Sequence, residues 1–199
     1  MMMKSALTAT AIASLATAAF AEKEDGLYGA ALPKDAIFVR AIDLAEPSYY
    51  LFGRTIPGDK LPDGTFVAFA PELLPEATPG AHYSLVAGEN ALPFVIEEGP
   101  RDNPAKVQLS LLNIDASNAT LAVAGGGPEV VADVTEGSVG ARWVNPVSVT
   151  LEARIDDAET AQIDVTLRRK QHMTILARAD GSVELLEDTY GPIFDGASD

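Results

Sequence analysis

The chain has 199 residues, no cysteine, and 14 basic against 29 acidic side chains, for a formal net charge of −15. The lack of cysteine excludes thiol catalysis, disulfide staples and zinc sites built on thiolates. The negative charge argues against a nucleic-acid partner, whose phosphates it would repel.

Met1 to Lys4 form a short positive start, Ser5 to Ala18 an apolar stretch, and Ala19-Phe20-Ala21 a small-x-small cleavage site. This pattern predicts a signal peptide over residues 1–21 and an exported, soluble mature chain from Glu22. The apolar stretch is shorter than the roughly 20 residues of a bilayer span. Losing Lys4 leaves 13 basic against 29 acidic side chains, or −16. In the next segment, Gly26 and Gly29 let the chain bend around Tyr28, whose ring is suited to plugging the open end of a sandwich. Pro33 then sets an extended entry into the first strand.

Beyond residue 25 no segment keeps an apolar stripe at helical spacing, and period-two alternation recurs instead. Strands are predicted at 37–42, 49–56, 65–70, 83–87 and 92–97, then at 107–111, 120–124 and 129–134, and finally at 147–155, 163–167, 172–177 and 183–187. The clearest is 147–155, where Val147, Val149, Leu151, Ala153 and Ile155 face one way and Ser148, Thr150, Glu152 and Arg154 the other. Gln108 and Ser110 are expected on a wet face in the same way. Turn formers such as Pro57-Gly58, Asp63-Gly64, Asp156-Asp157 and Asp180-Gly181 separate the runs. Many short strands without crossover helices predict an all-β fold of two tandem antiparallel β-sandwich domains after a cleaved signal peptide. The connector Gly99 to Pro104, polar and carrying two prolines, places the boundary between domains at 22–102 and 103–199.

No catalytic set emerges from the residues. The two histidines, His82 and His172, fall in different predicted domains without metal-type spacing, and each reads as a surface or strand residue. There is no Gly-x-Ser-x-Gly elbow; Glu136 to Gly140 comes nearest and reads as a turn. Glu97-Glu98, Asp156-Asp157 and Glu187-Asp188 are carboxylate pairs of the kind an acidic chain places at turns. Gly125-Gly126-Gly127 opens no helix and reads as a loop. The catalytic, metal and cofactor assignments are therefore none. One feature runs against the composition: Arg168-Arg169-Lys170 sets three cations together at a strand end, either a solvated terminus or a docking patch for an acidic partner. Trp143, the single tryptophan, is either core or a sugar platform.

Gly26-Leu27-Tyr28-Gly29, Pro33-Lys34, Phe38-Val39-Arg40, Leu112-Asn113-Ile114-Asp115 and Asn145-Pro146-Val147 occur in that order along the mature chain. Together they resemble the AlgF family of alginate O-acetyltransferase accessory proteins. Asp43, where the family pattern would have Asn, and the Pro-rich stretch 56–80 depart from it. Tyr28, Gly29, Arg40, Asn145 and Pro146 are, by this resemblance, structural motif residues. The resemblance implies a periplasmic, non-catalytic adaptor in alginate biosynthesis, serving O-acetylation of the exopolysaccharide. Its implied partners are the periplasmic acetyltransferase proteins of the acetylation complex, with the polysaccharide as a further candidate. Two other readings stay open: a secreted carbohydrate-binding module, hinted at by Tyr49-Tyr50-Leu51-Phe52, and an O-acetyltransferase acting directly on the polymer.

Overall fold

The structure, a computed structural model, describes residues 31–199 apart from 90, 100, 102, 195 and 197–199. The expected signal peptide and the motif residues Tyr28 and Gly29 lie outside the described residues. The first half contributes β1 (Ile37–Ala41), β2 (Ser48–Leu51), β3 (Arg54–Pro57), β4 (Thr65–Phe69), β5 (His82–Val86) and β6 (Phe94–Glu98). The second contributes β7 (Val107–Asn113), β8 (Asn118–Val123), β9 (Glu129–Thr135), β10 (Ser138–Val144) and β11 (Ser148–Ile155). It ends with β12 (Ala158–Thr166), β13 (His172–Ala177), β14 (Val183–Glu187) and β15 (Thr189–Phe194). Two short 3-10 turns at Gly58–Lys60 and Pro71–Leu73 are the only helical elements among the described residues.

The fold is all-β, as the alternation predicts, and it comprises two β-sheet domains. The first is a five-stranded sheet, ordered β15-β4-β1-β5-β6, with the β2–β3 hairpin laid over one face. The second packs the sheet β10-β7-β13-β14 against the sheet β12-β11-β8-β9. Pairing is mostly antiparallel, with parallel ladders at β1/β5, β7/β13 and β4/β15.

The side-chain period of two explains how the layers stack. On β1, Ile37, Val39 and Ala41 point to the β2–β3 hairpin and form a core with Tyr49, Ile56 and Phe69. Phe38 and Arg40 point the opposite way, toward the second domain. On β7, Val107, Leu109 and Leu111 fill the core of the second sandwich, together with Leu121, Leu151 and Ile175. Leu112 faces back toward the first sheet and joins Ile42, Val86, Ile96, Ile114 and Leu176 in a third, smaller core. Two sheets from different domains thus lie face to face.

That contact corrects one expectation. Gln108 and Ser110 are buried rather than wet, because the outer face of β7 is covered by the first sheet.

Three elements differ from the strand pattern expected of the sequence. The run 49–56 is a hairpin: Leu51 pairs with Arg54, and Phe52 and Gly53 take positive φ (49° and 82°) in a two-residue turn of the primed type. β10 lies in a segment expected to be a turn and its surroundings. Its Gly140 is required by close packing, since a Cβ there would lie 2.4 Å from Val131 Cγ1. β15, with Gly191-Pro192 inside it, survives as an edge strand that carries a register shift between Tyr190 and Ile193. This last strand returns to the first sheet, whereas the expected boundary at 102/103 assigns it to the second domain.

Candidate functional site

The site grows from the inward face of β1. Arg40 is fully buried, and its guanidinium reaches four partners. Nε donates to Ser84 Oγ on β5 at 2.7 Å, and Nη1 donates to Asp188 Oδ1 at 2.9 Å. Nη2 donates to Glu98 Oε1 on β6 at 2.8 Å and to Thr174 Oγ1 on β13 at 2.9 Å. One arginine of the first domain therefore holds a strand of the second.

A second guanidinium closes the network. Arg101, in the connector, donates through Nη2 to Glu98 Oε2 at 2.6 Å and through Nε to Asp188 Oδ2 at 2.8 Å. Ser84 donates to Glu98, and Thr174 Oγ1 donates to Asp188 Oδ1 at 3.1 Å. The Phe66 ring lies beneath both cations, 4.3 Å from the Arg40 guanidinium carbon and 5.0 Å from that of Arg101. Two positive and two negative charges cancel inside the cluster. Burial alone would raise the Glu98 carboxyl, but Arg40 and Arg101, helped by Ser84, hold it below its usual range. Burial likewise opposes the charge on Arg101, and the two carboxylates more than offset it, so its pKa is raised.

Beside the cluster the two sheets part to form a cleft of about 340 Å³, lined mainly by carbon. Phe38, Phe66 and Ala68 make its floor on the first sheet, and Tyr190 of β15 stands at its mouth with half its surface exposed. Both histidines reach it, His82 from β5 and His172 from the start of β13. His82 is stacked on Phe38 with ring centroids 4.4 Å apart, and its Nε2 lies 3.2 Å from the Tyr190 hydroxyl. Trp143 of β10 meets the His172 ring edge to face at 5.9 Å.

Burial, reinforced by the Arg101 charge, pushes His82 down to about 3, so the imidazole is neutral at ordinary pH. Burial also lowers His172, again with help from Arg101 and against Asp188. Tyr190 is half exposed, and the desolvation of its buried part pushes the phenol up to about 12. The far nitrogen of His82, Nδ1, is buried without a hydrogen-bond partner among the described residues. Among the described residues no carboxylate is hydrogen-bonded to the ring.

The residues singled out in the sequence fall in three places. Arg40 is at the centre of the buried network. Arg168, Arg169 and Lys170 form an exposed turn after β12, stabilised by Gln171 N donating to Arg168 O at 3.1 Å. Asn145 and Pro146 are exposed, and Asn145 Oδ1 accepts from Lys106 Nζ at 2.6 Å. The expected surface or strand status of the histidines holds for the strand only: His82 is 5% exposed. The sequence reading missed Ser84, Arg101, Thr174 and Asp188, because nothing in their local pattern shows which strands meet. The signal that was available is the inward period of β1, which puts Arg40 on an otherwise apolar face where a partner is obligatory. No cluster of three or more His, Cys, Asp or Glu that could hold a metal ion occurs among the described residues.

The family model described as alginate O-acetyl transferase AlgF matches residues 72–174, just over half of the chain and the stretch holding β5 to β12. The alginate biosynthesis protein AlgF of Pseudomonas aeruginosa is 32% identical over 184 residues, covering 84% of this chain and 85% of its own. The chain belongs to the AlgF family. The Pseudomonas putida member is 30% identical over 192 residues and covers 89% of each chain. Among solved structures, the C-terminal domain of AlgF from P. aeruginosa is similar at 28% identity with a TM-score of 0.39. That match covers 42% of this chain and 98% of that domain. For this AlgF family member, the family resemblance carried by the sequence motifs is thus met across most of the chain.

Proposed function

We propose that this chain is a non-catalytic adaptor of the alginate O-acetylation machinery, exported to the periplasm and working beside separate acetyltransferase proteins. Family membership supports the pathway, and the amino-terminal pattern supports export. Among the described residues no helix is long and apolar enough to cross a membrane.

The observation that carries the non-catalytic reading is the His82–Tyr190 pair. Here, among the described residues, an imidazole, a phenol and a guanidinium converge on a cleft, as acyl transfer would need. Its tuning runs the wrong way. With the phenol raised to about 12 and the imidazole lowered to about 3, the proton stays on Tyr190 and His82 is a poor base for it. No acid on Nδ1 strengthens the ring as a base. In the stretch that hints at a sugar-binding module, Tyr49 is buried and Tyr50 is the exposed ring, so it presents one aromatic rather than a row of them.

The test is genetic complementation of a strain lacking the gene, scored as acetyl groups per uronate in the secreted polymer. Wild type and Tyr190→Phe should both restore acetylation, and the purified protein should leave a chromogenic acetyl ester intact. Loss of acetylation with a normally folded Tyr190→Phe protein, or ester turnover that survives repurification, would make the chain an enzyme.

A further inference from the structure

Five cations gather at one end of the second sandwich, and strand directions explain why. β7 and β13 are parallel, so both begin at this end, and β10 is antiparallel to β7, so it finishes there. Val144 is paired with Val107, which sets Asn145 beside Lys106. β12 ends at the same place, and the turn that follows it is tied down by Lys170 N donating to Lys106 O at 3.2 Å. Lys106 and Arg142 line a common hollow with Trp143 and Asn145, and the turn 168–170 adds Arg168, Arg169 and Lys170.

None of these five is in an ion pair with a carboxylate among the described residues. Lys106 is held by the Asn145 amide, and Arg142 by the carbonyls of Glu129 and Val130 at 3.1 and 3.4 Å. By contrast Arg40, Arg101, Arg154 and Arg178 all have carboxylate partners. Two carboxylates border this set without pairing with it: Glu129 at the hollow's rim, 4.0 Å from Arg154, and Glu187 beside the turn, which accepts from Gln171 Nε2 at 3.0 Å. On a chain that carries 29 acidic side chains, an end with five cations outside any ion pair is the part of the surface that attracts negative charge.

The apolar cleft adjoins this end. His172, two residues beyond Lys170, lines the cleft on one side and touches Trp143 on the other. Leu32, 60% exposed, and Tyr190 are the open apolar rim. Cleft, His172, Trp143 and the cationic turn make one continuous strip across both domains.

We infer that this strip is the docking surface for an acidic protein segment that inserts an apolar side chain into the cleft. The inference rests on the adaptor reading and names the surface which that reading leaves open. The cleft decides the class of partner. Its walls are mainly carbon, and the charge of Arg101 on them is already taken up by Glu98 and Asp188, which suits an aliphatic or aromatic side chain that a protein can supply and a polyuronate cannot. The cations beside it supply charge complementarity and faster association.

The experiment measures binding of the full mature chain to the purified periplasmic acetyltransferase proteins of the same organism, at two salt concentrations, with a soluble polyuronate as a separate probe. The variants are Arg168→Ala/Arg169→Ala/Lys170→Ala and Leu32→Glu, both at exposed positions, so the melting temperature should not change. Each should weaken binding about tenfold at low salt, the first with a shallower salt dependence and a slower on-rate. Wild-type affinity in both variants overturns the surface while leaving the adaptor reading intact. If wild type binds no acetyltransferase protein, both fall. If the triple variant loses only polyuronate binding, the strip is a polysaccharide site and the proposal is wrong.

Discussion

Arg40 is fully buried with four protein partners, so its removal leaves Glu98 and Asp188 buried with only the Arg101 charge to answer them. Breaking a buried pair in this way costs about 3–5 kcal/mol, and Arg40→Ala should lower the urea midpoint accordingly. Arg40→Lys should recover only part of that, because an ammonium cannot span Ser84, Asp188, Glu98 and Thr174 as a planar fork does. His82 predicts a second effect. Its folded pKa lies at about 3 against an ordinary 6.5, so between those values the unfolded chain binds the extra proton. Stability therefore falls as pH drops from 6.5 toward 3, by as much as about 5 kcal/mol at 1.36 kcal/mol per pH unit. Glu98 adds its own loss further down, since a depressed carboxyl stabilises above its unfolded pKa and ceases to do so as pH falls through the folded one. Denaturation of His82→Phe across this range should give a flatter acid limb above pH 3 than the wild type gives; parallel curves would mean that His82 is solvated.

Among the elements, β10 and β15 show where sequence periodicity stops being informative. The alternation of Val107, Leu109, Leu111 and of Leu151, Ala153, Ile155 was legible because each stripe serves one core. The opposite face of β7 was not, because its burial depends on a sheet from the other domain. β10 carries Gly140 and Arg142 where a strand pattern would have apolar residues, and only the approach of Val131 and Val134 makes the glycine intelligible. Gly140→Ala should cost about 1–3 kcal/mol through overpacking, measurable as a lowered melting temperature without change of far-ultraviolet circular dichroism. Arg40 could be picked out by resemblance, but its partners Ser84, Glu98, Thr174 and Asp188 come from four separate stretches of chain. Distance in sequence hid the site. The cationic turn was the opposite case, since three adjacent cations are visible in any reading.

At the scale of the whole molecule, we propose that the connector 99–104 separates two folding units with one exception, β15. Its ladder to β4 and the contact of Phe194 with Phe69, ring centroids 4.9 Å apart, belong to the first domain. A fragment of residues 103–188 should therefore show β-type circular dichroism and a cooperative melt by itself. Residues 22–102 should need a peptide of residues 189–199 added in trans to reach their full stability. If 22–102 melts identically with and without that peptide, β15 contributes nothing to the first sheet.

The return of β15 also fixes an order in time. A chain that emerges from its amino end has β1 to β6 available long before residue 194 exists, yet the edge of β4 waits for it. The second sandwich has all its strands, β7 to β14, before that point. The half made first is completed last. Contacts spanning some 120 residues, such as Thr65 with Thr189, also carry the loop-closure cost that slows folding. In a refolding experiment read by pulsed hydrogen exchange, amides of β7 and β13 should gain protection before those of β4, and the domain that carries Arg40 should be the last to lock.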